Sequence, residues 1–160
     1  LFNDCTYIYN PGVPFEFCWA AYPEKHEEAP NMKMDLEWLK EKQNMGASYA
    51  VTQLFYDNKK FFDFIQAARE IGITIPIIPG IKPLARLSQL TVVPRTFRCD
   101  LPEELASEVL KCKTDEDAQH LGIEWGINQC RELYEAGFHN IHFYTVSAAD
   151  SVREIVRKLL

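Results

Sequence analysis

Polar side chains that could bind a ligand recur at the ends of apolar runs in this sequence. The segment YPEKH (22–26) follows the run FEFCWAAY, Gln53 lies in YAVTQLF, and Tyr144 lies in NIHFYTV. An imidazole, an amide and a phenol donate and accept hydrogen bonds, as a binding site requires. Taken singly, Gln53 is better explained as a structural hydrogen-bonding residue, and His26 as a solvated loop residue. The sequence has no G-x-S-x-G, Walker loop or metal-binding H-x-x-x-H motif.

The apolar runs alternate with amphipathic helical runs. Strands are predicted over 15–22, 49–55, 73–81 and 140–146, and helices over 32–45, 58–71, 116–136 and from 150 onward. The stretch 82–115 is less regular, with a helix start at 102–104. This (βα)₄ pattern of buried strands indicates a parallel α/β sheet with right-handed crossovers. A small doubly wound domain and half of a (β/α)₈ barrel both fit, and both place functional groups at the carboxyl ends of the strands.

The composition narrows the class of protein. The chain has 160 residues, 17 basic against 23 acidic side chains, a net charge of −6 and 47% hydrophobic residues. These values predict one globular domain over 1–160 and argue against nucleic-acid binding, which depends on basic side chains. No apolar run approaches the roughly 18 residues of a membrane span, and the first residues do not resemble a signal peptide. The five cysteines have no C-x-x-C spacing, which predicts reduced thiols and no metal site.

Read together, the strand ends resemble one enzyme family. The segments AAYPEKHEEAP (20–30), DLEWLKEKQNMGASYAVTQLFYDN (35–58), GITIPIIPGIKPL (72–84), GIEWGINQCRELYEAG (122–137) and IHFYT (141–145) are similar to methylenetetrahydrofolate reductase, in the family's order and spacing. The resemblance implies a (β/α)₈ TIM barrel, of which this chain covers about strands five to eight with their helices. It therefore favours the half-barrel over the doubly wound domain.

The resemblance also implies the chemistry. Members of the family use FAD to reduce 5,10-methylenetetrahydrofolate to 5-methyltetrahydrofolate, with NADH or NADPH as co-substrate. The same resemblance implies a cytoplasmic, homo-oligomeric enzyme with a folate substrate. The family's catalytic Glu lies on the first barrel strand, so no residue of this chain takes that role. The 160 residues alone are therefore expected to be inactive without the N-terminal half of the barrel.

The family's binding roles fall on particular positions of this chain. The residues implied for FAD binding are Tyr22, His26, Asp35, Trp38, Glu41 and Lys42. The residues implied for substrate binding are Gln53, Gln89 and Tyr144. Positions 35, 38 and 42 share one face of a predicted helix, which is consistent with a common ligand.

One position departs from the family pattern. An Arg that helps to bind substrate in many members is replaced by Ala148, and we expect Arg86, Arg95 or Arg98 to compensate. A different class of function remains as an alternative: a stand-alone, non-catalytic (βα)₄ module that binds a nucleotide or phosphate at its strand ends.

Overall fold

The computed structural model describes residues 16–145 and 149–159, which contain one parallel sheet. Its strands are β1 (Phe17–Ala21), β2 (Ala47–Leu54), β3 (Ile77–Ile81) and β4 (His142–Phe143). They lie in the order β1-β2-β3-β4, and every neighbouring pair is parallel.

Helices connect the strands. Helix α1 (Met32–Asn44) joins β1 to β2, and α2 (Asn58–Glu70) joins β2 to β3. Between β3 and β4 the chain forms α3 (Gln89–Phe97), α4 (Glu103–Lys111) and α5 (Asp115–Glu135), and α6 (Ala149–Leu159) follows β4. The predicted (βα)₄ pattern is therefore confirmed over the described residues.

The strand order decides between the two architectures that the sequence allows. In a doubly wound sheet the strand order reverses at a switch point, so the connecting helices lie on both faces of the sheet. Here the strands follow one another in chain order, so crossovers of one hand leave all connecting helices on the same face. The sheet is therefore half of a barrel wall, as the family resemblance implies.

The two faces of the sheet differ in burial. Ala50, Ile77 and Ile81 point toward α1, α2, α5 and α6 and join one core cluster with Phe61. Phe61 is fully buried, and its ring stacks on Phe55 with centroids 5.1 Å apart. Alternate strand positions face the other way, and among them Cys18 and Ala20 are exposed. This uncovered face is the inner surface of the half-barrel.

Local sequence signals explain where the helices begin and end. Asn31 caps α1 by accepting a hydrogen bond from the Met34 N–H at 3.0 Å. Thr114 and Asp117 form a reciprocal capping box at the start of α5. Gly72, with φ of 80°, follows α2 and supplies the left-handed turn that a side chain would resist.

The predicted boundaries were wrong in two strands, and one helix was not predicted. Strand β3 begins at Ile77 rather than Ile73, because Pro76 has no N–H to donate; its carbonyl instead accepts from Ala50 N–H at 2.9 Å. Strand β4 has two residues, not the predicted 140–146, and 146–148 lie outside the described residues. Helix α3 was not predicted, because its β-branched residues and Pro94 weigh against a helix.

A separate finding concerns membranes. Among the helices at 16–145 and 149–159, none combines the length and the apolar character that crossing a bilayer would need.

Two glycines four residues apart on α5 test the packing of this helix against the chain after β3. A Cβ at Gly122 would overlap the Leu84 carbonyl oxygen and lie 2.7 Å from its carbon, whereas a Cβ at Gly126 would meet only the flexible end of Ile155 at 2.8 Å. Both substitutions gain about 1 kcal/mol of helix propensity. We expect Gly122→Ala to destabilise the fold by about 1–3 kcal/mol in urea unfolding, through overpacking against backbone.

The matched control is Gly126→Ala, which should be close to neutral because a side-chain end can move. Equal free energies of unfolding for the two variants would contradict the close approach of Leu84 to α5.

Candidate functional site at the carboxyl ends of the strands

The site is built where β1, β2 and β3 end. Ala21 of β1 is in register with Thr52 of β2, so Tyr22 and Gln53 follow side by side at the same edge. Gln53 is half-buried and lies on the opposite face from the buried Thr52 and Leu54. Two predicted site residues are thereby brought together on the inner face.

Thr52 holds the neighbouring strands at this edge. Its hydroxyl Oγ1 accepts a hydrogen bond from the Gly80 N–H at 2.8 Å, and its carbonyl oxygen accepts one from the Tyr144 hydroxyl at 2.8 Å. The pairing of β2 with β3 shifts register between Val51 and Leu54. The side chain of Thr52, fully buried, supplies an acceptor where the strand register is interrupted.

Gly80 gives Tyr144 room to reach Thr52. A Cβ at Gly80 would overlap the Thr52 carbonyl oxygen and lie 2.7 Å from Tyr144 Cε2. The Tyr144 ring is also packed edge-to-face with His142, with centroids 4.6 Å apart. Tyr144 is therefore fixed across the ends of β2 and β3.

The loop 22–30 carries Tyr22 and His26, whose rings pack edge-to-face with centroids 4.5 Å apart. Lys25 between them has φ of 75°, a left-handed conformation that is costly for a residue with a side chain. Its amine donates hydrogen bonds to the carbonyl oxygens of Ala29 at 2.6 Å and His26 at 2.8 Å. These bonds close the loop around the lysine and offset the backbone strain.

Asp35 and Glu28 fix the orientation of His26. The Asp35 carboxylate accepts from the His26 backbone N–H at 2.7 Å, and the Glu28 N–H donates to His26 Nδ1 at 3.1 Å. Because Nδ1 accepts this bond, the proton of a neutral imidazole lies on Nε2. His26 thus presents an N–H donor. Asp35, a predicted cofactor residue that is 7% exposed, binds the backbone of this loop in the structure.

In Gln53 and Gln89, as in His26, the side-chain acceptor atom binds a backbone N–H. Gln53 Oε1 accepts from the Leu54 N–H at 3.0 Å. Gln89 Oε1 accepts from the N–H groups of Ala85 at 2.6 Å and Arg86 at 3.2 Å. With their oxygens bound to backbone, both side chains keep their NH₂ groups for donation.

Burial strengthens the preference of Tyr22 and Tyr144 for the protonated form, which a tyrosine already adopts at neutral pH. It raises the pKa of Tyr22, with smaller contributions from Asp35 and Glu28. It also raises the pKa of Tyr144, with smaller contributions from Tyr22 and Cys18. Both phenols therefore keep their protons at neutral pH.

The remaining cofactor residues lie along α1 rather than at the strand ends. Lys42 is seven residues from Asp35, about 10 Å along the helix. Its amine lies 4.8 Å from the centre of the Trp19 ring, within the range of a cation–π contact. Trp38 is half-buried and Glu41 is exposed. The structure thus separates the helix-borne candidates from the group at the strand ends.

Sequence reasoning missed several residues that shape this site. Thr52 is not among the predicted site residues, although a hydroxyl inside an apolar strand signals a buried hydrogen bond. Ala148 lies outside the described residues. Of the arginines expected to compensate for it, Arg98 donates to Glu27 at 2.9 Å. The described residues contain no group of three or more His, Cys, Asp or Glu side chains that could hold a metal.

Comparison with known proteins gives a consistent family. The family model described as methylenetetrahydrofolate reductase matches residues 6–160. The chain is 38% identical over 150 residues to the Caenorhabditis elegans protein named "Probable methylenetetrahydrofolate reductase (NADPH)", covering 92% of this chain and 23% of the relative. It is 33% identical over 158 residues to the Zea mays methylenetetrahydrofolate reductase (NADH) 1, covering 92% and 27%.

A bacterial relative is shorter. The chain is 34% identical over 137 residues to the 5,10-methylenetetrahydrofolate reductase of Buchnera aphidicola subsp. Baizongia pistaciae, covering 85% of this chain and 46% of the relative. The chain therefore spans about a quarter of its eukaryotic relatives and about half of this bacterial one.

A solved structure supports the fold. It is an uncharacterized Clostridium thermocellum protein that binds two copies of 5-methyl-5,6,7,8-tetrahydrofolic acid. The match has a TM-score of 0.60 at 18% identity and covers 96% of this chain and 55% of that one.

The role of Thr52 is testable by removing only its hydroxyl. Thr52→Val keeps the shape but leaves the buried Gly80 N–H without its acceptor, which should cost about 1–3 kcal/mol of unfolding free energy. The control is Thr91→Val, because the Thr91 hydroxyl donates to the Ser88 carbonyl oxygen at the exposed surface, where water can replace the lost bond. Urea unfolding measures both, and a Thr52→Val variant as stable as Thr91→Val would rule out the proposed anchoring.

Proposed function

This chain belongs to the methylenetetrahydrofolate reductase family, and on that premise we propose that it supplies the second half of a flavin-dependent folate reductase barrel. In this proposal β1 to β4 are barrel strands five to eight. The inner face of the half-barrel then turns toward the missing half, and β1 and β4 pair with its edge strands. The proposed reaction is the reduction of 5,10-methylenetetrahydrofolate to 5-methyltetrahydrofolate.

The observation that carries the proposal is the shared polarity of the site. His26, Gln53 and Gln89 each bind a backbone N–H through their acceptor atom and keep an N–H for a ligand. Flavin, pterin and nicotinamide groups all present carbonyl oxygens or ring nitrogens, which need such donors. A donor-rich edge therefore fits these heterocycles better than it fits a cationic ligand.

The side chains proposed to hold FAD lie in two separate places, at the strand ends and along α1. Tyr22 and His26 form an aromatic pair beside Gln53, suited to a flat ring, and Lys42 would offer a positive charge to a phosphate. Trp38 and Glu41 complete the FAD contacts along the same helix. Asp35 contributes by holding the backbone of His26.

Bound FAD would supply hydride transfer from NADH or NADPH to the folate. The part played by this chain is binding and orientation. His26 Nε2–H and the Gln53 amide would donate to ligand carbonyl groups or ring nitrogens, and Tyr144 would form a fixed wall at the substrate side. Because Tyr144 already donates its hydroxyl proton to Thr52, it keeps that orientation without a ligand.

Gln53 should affect the substrates rather than the cofactor. In the full-length protein, Gln53→Ala is expected to lower kcat/KM for folate and for NAD(P)H about tenfold, equal to about 1.4 kcal/mol, while FAD stays bound. Steady-state kinetics and the flavin content measure this. The control is Gln66→Ala, an exposed amide on α2 that pairs with Glu70. Loss of FAD from Gln53→Ala would assign it a structural role.

Lys42 should affect the cofactor. Lys42→Ala is expected to raise the Kd for FAD about tenfold, through loss of the charge near Trp19. Flavin fluorescence titration measures the Kd. Lys33→Ala is the matched control, because Lys33 lies on the same helix, is exposed and pairs only with Glu37 among the described residues. Identical affinities in the two variants would refute the phosphate role.

A stand-alone nucleotide-binding module differs from this proposal in one outcome. Such a module would bind FAD or a nucleotide without oxidising NADH or NADPH, even when the N-terminal half of a bacterial relative is co-expressed.

A further inference from the structure

One carboxylate next to the strand ends joins three separate segments of the chain. Glu24 lies in the loop 22–30, between Tyr22 and His26. Its Oε2 accepts a hydrogen bond from Lys60 Nζ at 2.6 Å and another from the Asp100 backbone N–H at 2.9 Å. Lys60 belongs to α2, and Asp100 lies between α3 and α4. The loop is thus connected to elements 36 and 76 residues away.

The contact between Glu24 and Lys60 is partly sheltered from water. The Glu24 side chain is 10% exposed and that of Lys60 is 32% exposed, whereas Asp100, which also pairs with Lys60, is 80% exposed. Glu24 Oε1 is buried and has no hydrogen-bond partner among the described residues. A sheltered carboxylate is tolerated only while its partners stay in place, so Glu24 and Lys60 constrain each other more than a solvated pair would.

The charges of the two groups reflect these surroundings. Burial raises the pKa of Glu24 against the opposing effect of its hydrogen bonds from Lys60 and Asp100. Burial lowers the pKa of Lys60, but its hydrogen bonds to Asp100 and Glu24 outweigh this and the net pKa is raised. The amine therefore stays charged between the two carboxylates.

A second contact joins the same two segments. Arg98 Nη2 lies 2.9 Å from Glu27 Oε1, and both side chains are more than half exposed. Arg98 has φ of 53° and ends α3, the helix that begins at Gln89. The loop that bears His26 and the helix that bears Gln89 are therefore connected through residues 24, 27, 98 and 100.

We propose that Glu24 and Lys60 are positioning residues that fix the loop 22–30 against the segment 98–100. They would thereby keep a constant distance between the N–H donor of His26, proposed to bind FAD, and the N–H donor of Gln89, proposed to bind the folate. The inference rests on the proposed function of the strand ends. Glu24 and Lys60 act through the backbone of the loop and of the segment, and not by contact with a ligand.

The first arm of the test needs no ligand. Hydrogen exchange of the full-length protein should show faster exchange in Glu24→Gln, by about tenfold, at the loop amides of Lys25, His26 and Ala29. These amides donate to Tyr22 O, Asp35 and His26 O. Exchange in α5 should not change. Lys60→Met should give the same pattern, and the double variant no more than either single one, because both remove one interaction.

The matched control is Lys59→Met, the neighbouring lysine on α2, which pairs with exposed Asp63. Its loop should exchange like that of the wild type. Unchanged loop exchange in Glu24→Gln and Lys60→Met, or an equal increase throughout α5, would overturn the positioning role.

The second arm uses FAD as the probe. Glu24→Gln and Lys60→Met should raise the Kd for FAD about tenfold and shift the visible absorbance of the bound flavin, whereas Lys59→Met should do neither. If the variants bind FAD as the wild type does, the positioning role is wrong. If the wild type binds no FAD, the proposed function fails, and the hydrogen-exchange arm still decides the role of Glu24 and Lys60.

Discussion

The two hydrogen bonds of Thr52 are the constraint on which the strand ends depend. The Thr52 hydroxyl accepts a hydrogen bond from the Gly80 N–H, and the Thr52 carbonyl oxygen accepts one from the Tyr144 hydroxyl. One buried residue of β2 therefore connects this strand to β3 and to the end of β4. The interruption of register between β2 and β3 falls at this point. Without a side-chain acceptor there, a buried backbone donor would be left unpaired, which costs more than an ordinary hydrogen bond contributes.

Three other side chains of the site share one arrangement, in which the acceptor atom binds the protein backbone and the N–H donor stays available. His26 Nδ1 and the oxygens of Gln53 and Gln89 all bind backbone N–H groups. Each bond fixes a side chain and also selects which atom faces outward. Such preorganisation lowers the entropic cost of ordering these side chains when a ligand binds. It explains how a half-barrel with an uncovered inner face can still present defined recognition groups.

Much of this could be predicted from sequence, because the signals are local. The apolar runs of β1 and β2 and the caps of α1 and α5 depend on near neighbours. The site residues came from a family resemblance that the comparisons confirm at the level of the family. The roles of Thr52 and Glu24 could not be predicted, since they depend on Gly80, Tyr144, Lys60 and Asp100, between 28 and 92 residues away. Strand order likewise required the structure, because periodicity does not distinguish a half-barrel from a doubly wound sheet.

The central claim is that the donor-rich carboxyl edge of this sheet belongs to a flavin site. The most direct measurement is a visible absorbance spectrum of the full-length protein after FAD is added and the excess is removed, followed by anaerobic addition of NADH or NADPH. The account predicts a retained flavin band that bleaches on reduction. A protein that is folded by circular dichroism yet retains no flavin would contradict it.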